Sequence, residues 1–346
     1  MGETARRTAI ATLIVIGLVA VALALWKLKL VLALLFLGFT IAAAMRPGVE
    51  WLRERRVPRS IGILLHYLAL AGFVALLFWL LVPPAIHQIQ AAIGTLPDAA
   101  HHSSGFKHQL LSGLEKRLRH LPTGTRIVHP ALTASVKAFE VVIGIFFMLA
   151  SAAYWVVDRD RFIDFVTSMM PRPRRKTVRD TWILIDAKLG AFIRGQGILI
   201  VLVAVVLSAL FFGIGLHYWL LVGTFSGIVE FVPVIGPLTA AVLAVGVGLT
   251  QSVQTAVAAL GCIVGLRLLQ DYLISPRVLG GATGLPPLIV LISATAAGVL
   301  FGAFAVVVAV PLAVLIVTII DVTIRGVDPA EEEQPTVLFT AKEGEG

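Results

Sequence analysis

Five stretches of this chain, residues 8–25, 30–45, 61–82, 139–157 and 198–216, are apolar and almost free of charge. At about 1.5 Å per residue, roughly 20 such residues span the ~30 Å hydrocarbon core of a bilayer as a helix. Lipid offers no hydrogen-bond partners, so a spanning segment must satisfy its backbone internally, which a helix does. The repeated pattern therefore predicts an all-α, polytopic membrane protein. Composition agrees. Of 346 residues, 58% are hydrophobic and only 14% are charged, and the mean hydropathy is +0.94. Soluble domains carry roughly 25% charged residues. These values exclude a disordered chain, a collagen, a coiled coil and a disulfide-stapled secreted module. Cys262 is the single cysteine, so no internal disulfide is available. The first run lacks a small-residue cleavage site before the next apolar run, so it reads as a retained span rather than a signal peptide.

Beyond residue 216 the pattern changes. Residues 219–250 are apolar but interrupted by Glu230, Pro233, Gly236 and Pro237, and residues 253–270 read as a span ending at Arg267 and Asp271. Residues 286–320 are too long for one ordinary span and read either as one very long helix or as a hairpin. About eight membrane segments result, some broken or re-entrant, with interfacial amphipathic helices beside them. The organisation is 1–82 (N-terminal spans with a basic loop), 83–138 (an extracytoplasmic amphipathic insertion), 139–197 (a span plus a basic interfacial segment), 198–325 (a C-terminal block containing the broken helix) and 326–346 (a disordered acidic tail).

The net charge of +8 reports topology rather than nucleic-acid binding. Cytoplasmic loops are enriched in Lys and Arg. With the N-terminus inside, and the broken and final segments each returning to their own side, 20 of the 28 Lys and Arg residues fall inside and 8 outside. The inside set includes Arg46, Arg53, Arg55, Arg56 and Arg59 in the first loop. Both termini are thus expected in the cytoplasm.

In the insertion, Phe106, Leu110, Leu114, Leu118 and Leu121 recur at helical spacing, with Pro122 and Gly124 ending the stripe. Such a helix either packs on a neighbour or the lipid interface, or caps a pathway. His101, His102 and His108 also lie there, without the Cys or carboxylate partners of a metal site. In 158–197, the run MMPRPRRKTVRD would attract anionic headgroups at about 1 kcal/mol per basic residue. Trp182, Ile185, Leu189 and Phe192 share one helical face and read as an interfacial helix leading into the fifth span.

The informative stretch is GTFSGIVEFVPVIGPLTAAV, residues 223–242. Proline lacks an N–H and clashes with the preceding turn, so Pro233 and Pro237 demand two half-helices and a non-helical elbow, loosened further by Gly227 and Gly236. At membrane depth such an elbow survives only when buried in protein or lining a wet cavity. Transporters use this arrangement to hold a solute or ion near mid-membrane. Glu230 sits one turn before the break. A charge at the bilayer centre costs on the order of 3 kcal/mol, so an intramembrane carboxyl is a functional candidate. It can carry a proton, or it can be a structural hydrogen-bonding group that ties the elbow together. A second polar cluster follows in LRLLQDYLISPRVLGGATGLPPL, residues 266–288. Arg267 and Asp271 are spaced i, i+4 and face one another on a helix, with Gln270 adjacent. Pro276 and the glycines and prolines after it make a second non-helical linker, which is either pathway or ordinary loop.

The combination of EFVPVIGP at 230–237 with QDYLISPRVLG at 270–280, supported by GLPPL at 284–288, GVLFG ending at Gly302 and VPL at 310–312, resembles the autoinducer-2 exporter-like family of bacterial membrane proteins. The layout of early spans, basic loop, third span, polar insertion and large C-terminal block is similar across nearly the whole chain. The resemblance implies a multispan permease of the bacterial inner membrane, often an exporter, with some relatives exchanging cations for protons, and it implies homo-oligomers.

Three functions compete at this stage. The first is secondary export of a small polar or signalling solute, with Glu230, Pro233, Gly236, Pro237, Arg267, Gln270, Asp271 and Pro276 lining the pathway. Monovalent cation/proton antiport is its nearest alternative. No GxxxxGK[ST] is present, so nucleotide hydrolysis is not expected. The second is a membrane enzyme, which lacks an HExxH, a GxSxG or paired intraspan aspartates. The third is a scaffold that binds lipids or partners through its basic loop. No cofactor, metal or nucleic-acid partner is expected; membrane lipids are.

Overall fold

The computed structural model describes residues 2–73, 75–76, 79, 83, 128–232, 235–274 and 285–332. The stripe at 106–121, the three histidines beside it, Pro233, Pro276 and the tail from 333 lie outside the described residues. Among the described residues the chain is helical without a strand. The helices are α1 (Gly2–Lys27), α2 (Lys29–Glu54), α3 (Arg59–Phe73), α4 (Val128–Ser168) and α5 (Arg172–Gly213), followed by α6 (Trp219–Val229), α7 (Ile235–Gln251), α8 (Val253–Leu269, prolonged by a π turn Gln270–Ile274), α9 (Pro287–Phe301) and α10 (Ala303–Thr323). Among the described residues six helices are long and apolar enough to cross a membrane, and α3, α6, α7 and α9 are shorter apolar helices. The molecule is a polytopic all-α membrane protein.

The first two runs depart from expectation. Two antiparallel spans need a reversal between them, and a helical hairpin uses a loop of about 2–5 residues. Here only Leu28 separates α1 from α2, at φ −87° and ψ 3°. Helical bonds carry through it, from Leu28 N–H to Ala24 O at 2.9 Å and from Leu32 N–H to Leu28 O at 2.9 Å. The helices meet at this junction without packing side by side. An N-terminus on the same side as the basic loop therefore does not follow from the fold. The apolar window of α1 is 0% buried within the chain.

The axis of the molecule is α5. Its 42 residues make a rod of about 63 Å, twice the bilayer core. The N-terminal half packs on α2, α4 and α10. Ile185 and Leu189 lie there with Ala43 and Val314 in one buried cluster. Trp182 joins Phe39, Trp155 and Phe162 in a set of ring contacts. The face expected at the lipid interface is instead buried in protein, because α2 and α10 supply the apolar cover. Close approach is possible because Gly190 presents no Cβ; one there would lie 2.5 Å from Ala43 O.

The C-terminal half of α5 packs with α6, α7 and α8 around a second core of Val203, Leu207, Phe211, Val222, Ala240, Ala244, Ala259 and Ile263. Gly215, at φ +68°, turns the chain from α5 into α6. The alternatives for 286–320 resolve as a hairpin. Gly302, at φ +90°, adopts a conformation that L side chains avoid and separates α9 from α10. The two helices then pack along one another. The tail is also ordered further than expected: residues 326–332 turn back toward α5, where Glu332 meets Lys188.

Candidate functional site

The elbow begins as a close helix pair. On α5, Gln196, Ile200, Ala204 and Ser208 recur every four residues and form one ridge. On α6, Gly223 and Gly227 form a GxxxG pair, the spacing that lets two helices approach closely in lipid. A Cβ at Gly227 would sit 2.5 Å from Ala204 Cβ and 2.7 Å from Ile200 O, and one at Gly223 would collide with Ser208. The α6 ladder runs out at Val229. Phe231 N–H and Val232 N–H then make tight bonds to Ile228 O (3.3 Å) and Val229 O (3.0 Å). The chain restarts at Ile235, with Gly236 N–H bonded to Val232 O at 2.8 Å. A Cβ at Gly236 would collide with Val229 O, so glycine is required for the return to pack on α6. Pro237 lies in the first turn of α7, where a missing N–H costs nothing.

The two half-helices form a re-entrant hairpin. Gln251, at the end of α7, accepts from His217 N–H at 2.9 Å and donates to Gly215 O at 3.0 Å. The far end of α7 thus returns to the turn from which α6 departed. The elbow marks the depth of the excursion. Gln196, which touches it, lies 17 residues before Gly213 and so about 26 Å along α5 from that turn.

At this point three elements converge on Glu230, which is 5% exposed. Its Oε1 accepts from Gln270 Nε2 at 2.7 Å and from Arg267 Nη1 at 3.1 Å, both on the α8 end. Its backbone carbonyl accepts from Gln196 Nε2 of α5 at 2.8 Å. Helix ends leave such carbonyls without an intrahelical partner, and Gln196 supplies one. Arg267 Nε also bonds Asp271 Oδ2 at 3.0 Å, the pair that the i, i+4 spacing implies. Gln270 opens a π turn, which widens the helix and directs the amide at the elbow. Gln196 and Gln270 are both buried, whereas Arg267 and Asp271 are partly exposed. Chemically, the site is a buried carboxyl group that accepts from one cation and one amide.

Glu230, Arg267, Gln270 and Asp271 are therefore brought together. Gly236 and Pro237 shape the return behind them. Gln196 was not among the candidates, because it sits in a segment whose basic residues dominate the reading. Its signal was a neutral polar side chain entering a long apolar run.

A second polar cluster lies further down α5. Asp186 is bonded to Arg159 of α4, both buried, and lies 3.7 Å from Arg46 of α2. Arg59 joins Glu50 at 3.1 Å and Asp160 at 3.6 Å. These bonds clasp α2, α3, α4 and α5 at the end rich in basic residues. Among the described residues no three His, Cys, Asp or Glu side chains converge as a metal site.

A family model described as AI-2E family transporter matches residues 12–325. YrrI of Bacillus subtilis (strain 168), named as a candidate transport protein, is 24% identical over 300 residues, covering 82% of this chain and 84% of that protein. YueF of the same organism, named likewise, is 27% identical over 282 residues, covering 75% and 76%. MT0215 of Mycobacterium tuberculosis (strain CDC 1551 / Oshkosh), again named for transport, is 25% identical over 317 residues, covering 86% and 84%. With nearly its whole length matched, and with the helical architecture described above, the chain belongs to the AI-2E transporter family.

Proposed function

We propose that this membrane transporter is a secondary exporter of a small polar or signalling solute, working by alternating access around the α6–α7 elbow. The observation that carries the reading is the convergence of Gln196, Arg267 and Gln270 on Glu230 at a point where the backbone leaves the helical ladder. A polar cluster of this kind is expensive in lipid and persists where it faces protein or water. The solute takes the place of Arg267 and Gln270 on the Glu230 carboxylate, and release restores those bonds. The strongly basic end, with Arg46, Arg59 and the 172–179 run, faces the cytoplasm of a bacterial inner membrane. Anionic lipids and further copies of the chain are its partners. No residue is assigned a catalytic role and no cofactor is required.

Monovalent cation/proton antiport is the second reading, favoured by Glu230, a buried carboxyl at the break. It requires a cation, rather than the donors of a solute, to displace Arg267 from Oε1. Purified protein in vesicles loaded with a panel of small polyols, amino acids and purine bases tests both. Solute export predicts efflux of at least one panel member that Glu230→Gln reduces by an order of magnitude or more, about 1.4 kcal/mol, with no proton release on adding sodium or lithium chloride. Proton release that Glu230→Gln abolishes would overturn export in favour of antiport. Unchanged efflux in Glu230→Gln would remove Glu230 from the pathway.

A further inference from the structure

Lys188 is a buried cation outside the elbow cluster. It lies on α5 and is 5% exposed, and its Nζ donates to Glu332 Oε1 at 2.6 Å. A lysine this buried is rare unless paired, and losing the partner leaves an uncompensated ammonium. The partner comes from 144 residues away, out of the acidic tail. The chain leaves α10 at Thr323, turns at Gly326 (φ +69°), buries Pro329, and reaches Lys188 at Glu332. The second carboxylate oxygen, Oε2, is buried without a hydrogen-bond partner among the described residues, so Oε1 alone carries this carboxylate's bond to α5.

The seat is placed with respect to the elbow. Lys188, Phe192 and Gln196 succeed one another every four residues along the ridge that continues through Ile200, Ala204 and Ser208. Eight residues separate Lys188 from Gln196, so the tail sits about 12 Å along α5 from the elbow, on its inner side. α10, which brings the tail there, packs on α5 and on α2. The tail therefore runs from the end of α10 to α5, on the ridge that leads to the elbow.

We propose that residues 326–332 form an inhibitory strap: this chain's own acidic segment docks on the Lys188 seat and closes the inner approach to the Glu230 cluster. The role as a closure rests on the transport reading. The seat itself does not. Displacement of Glu332 opens the approach and uncovers a buried cation suited to a carboxylate.

Two readouts on protein in vesicles separate these parts. The first is acetylation of Lys188 by an amine-reactive reagent, located by peptide mass spectrometry. The second is the rate at which Val232→Cys, in a Cys262→Ala background, reacts with a charged maleimide from the inner side. Glu332→Gln, and a chain ending at Arg325, are each expected to raise both by about tenfold, the effect of losing one charge-assisted hydrogen bond. Glu331→Gln, which alters an exposed neighbour, is expected to change neither. Lys188 labelled as readily in the full chain as in the truncated one would overturn the seat. Labelling that rises while the cysteine rate stays constant would overturn the closure. A cysteine unreactive from either side in every variant would overturn the hydrated elbow and the closure built on it, while the acetylation result still decides the seat.

Discussion

Single side chains carry disproportionate weight where polar groups are buried among apolar ones. Glu230 is legible in the sequence because a carboxylate interrupts an apolar run, and Arg267, Gln270 and Asp271 are legible for the same reason. Gln196 is not, because it sits in a segment whose basic residues dominate the reading and its partner is a backbone carbonyl 34 residues away. Its truncation should nonetheless be felt. Gln196→Met keeps the volume but leaves the Glu230 carbonyl unpaired, a loss of about 1–3 kcal/mol, read as a lower unfolding temperature in detergent. The Arg159–Asp186 pair gives a sharper contrast. Arg159→Met strands a buried carboxylate and should destabilise by about 3–5 kcal/mol, whereas Arg159→Met with Asp186→Leu should recover much of that loss. Equal instability of the single and double variants would contradict this account of the pair.

Among elements, the decisive contact is the seam between α5 and α6. Gly223 and Gly227 allow backbone-to-backbone approach, and that closeness brings Gln196 within reach of the elbow. Gly227→Ala places a methyl group inside contact distance of Ala204 and Ile200. The helices must part, at about 1–3 kcal/mol, the usual cost of overpacking. Gly246→Ala on α7 meets nothing within 4 Å and should be neutral or slightly stabilising, which makes it the control in thermal unfolding. The sequence located this region correctly as two half-helices, because proline and glycine punctuate it. It carried less about direction. The return of α7 to Gly215 and His217 is written in bonds from Gln251, a residue with no distinguishing local pattern. Likewise a single residue, Leu28, decides whether α1 and α2 reverse, and apolar runs separated by two lysines do not reveal that helical bonds pass through it.

At the scale of the whole molecule, α5 joins every feature with a proposed role. Along its length it holds the Arg159 and Arg46 clasp at Asp186, the tail at Lys188, the elbow at Gln196 and the α6 seam up to Ser208. Fold class was legible from composition and run length, since both follow directly from the bilayer as solvent. The shared rod was not. Hydropathy splits α5 into a basic loop and a span, whereas the helix is continuous, with the stretch 182–192 covered by α2, α4 and α10. What the account most needs is that the elbow faces water within the protein rather than acyl chains. A nitroxide on Val232→Cys, in the Cys262→Ala background and in vesicles, measures this through collisions with a water-soluble nickel chelate and with oxygen, which concentrates in lipid. The account predicts that the chelate relaxes the label more effectively than oxygen does. Relaxation by oxygen alone, with the chelate silent, would place the elbow against lipid and contradict it.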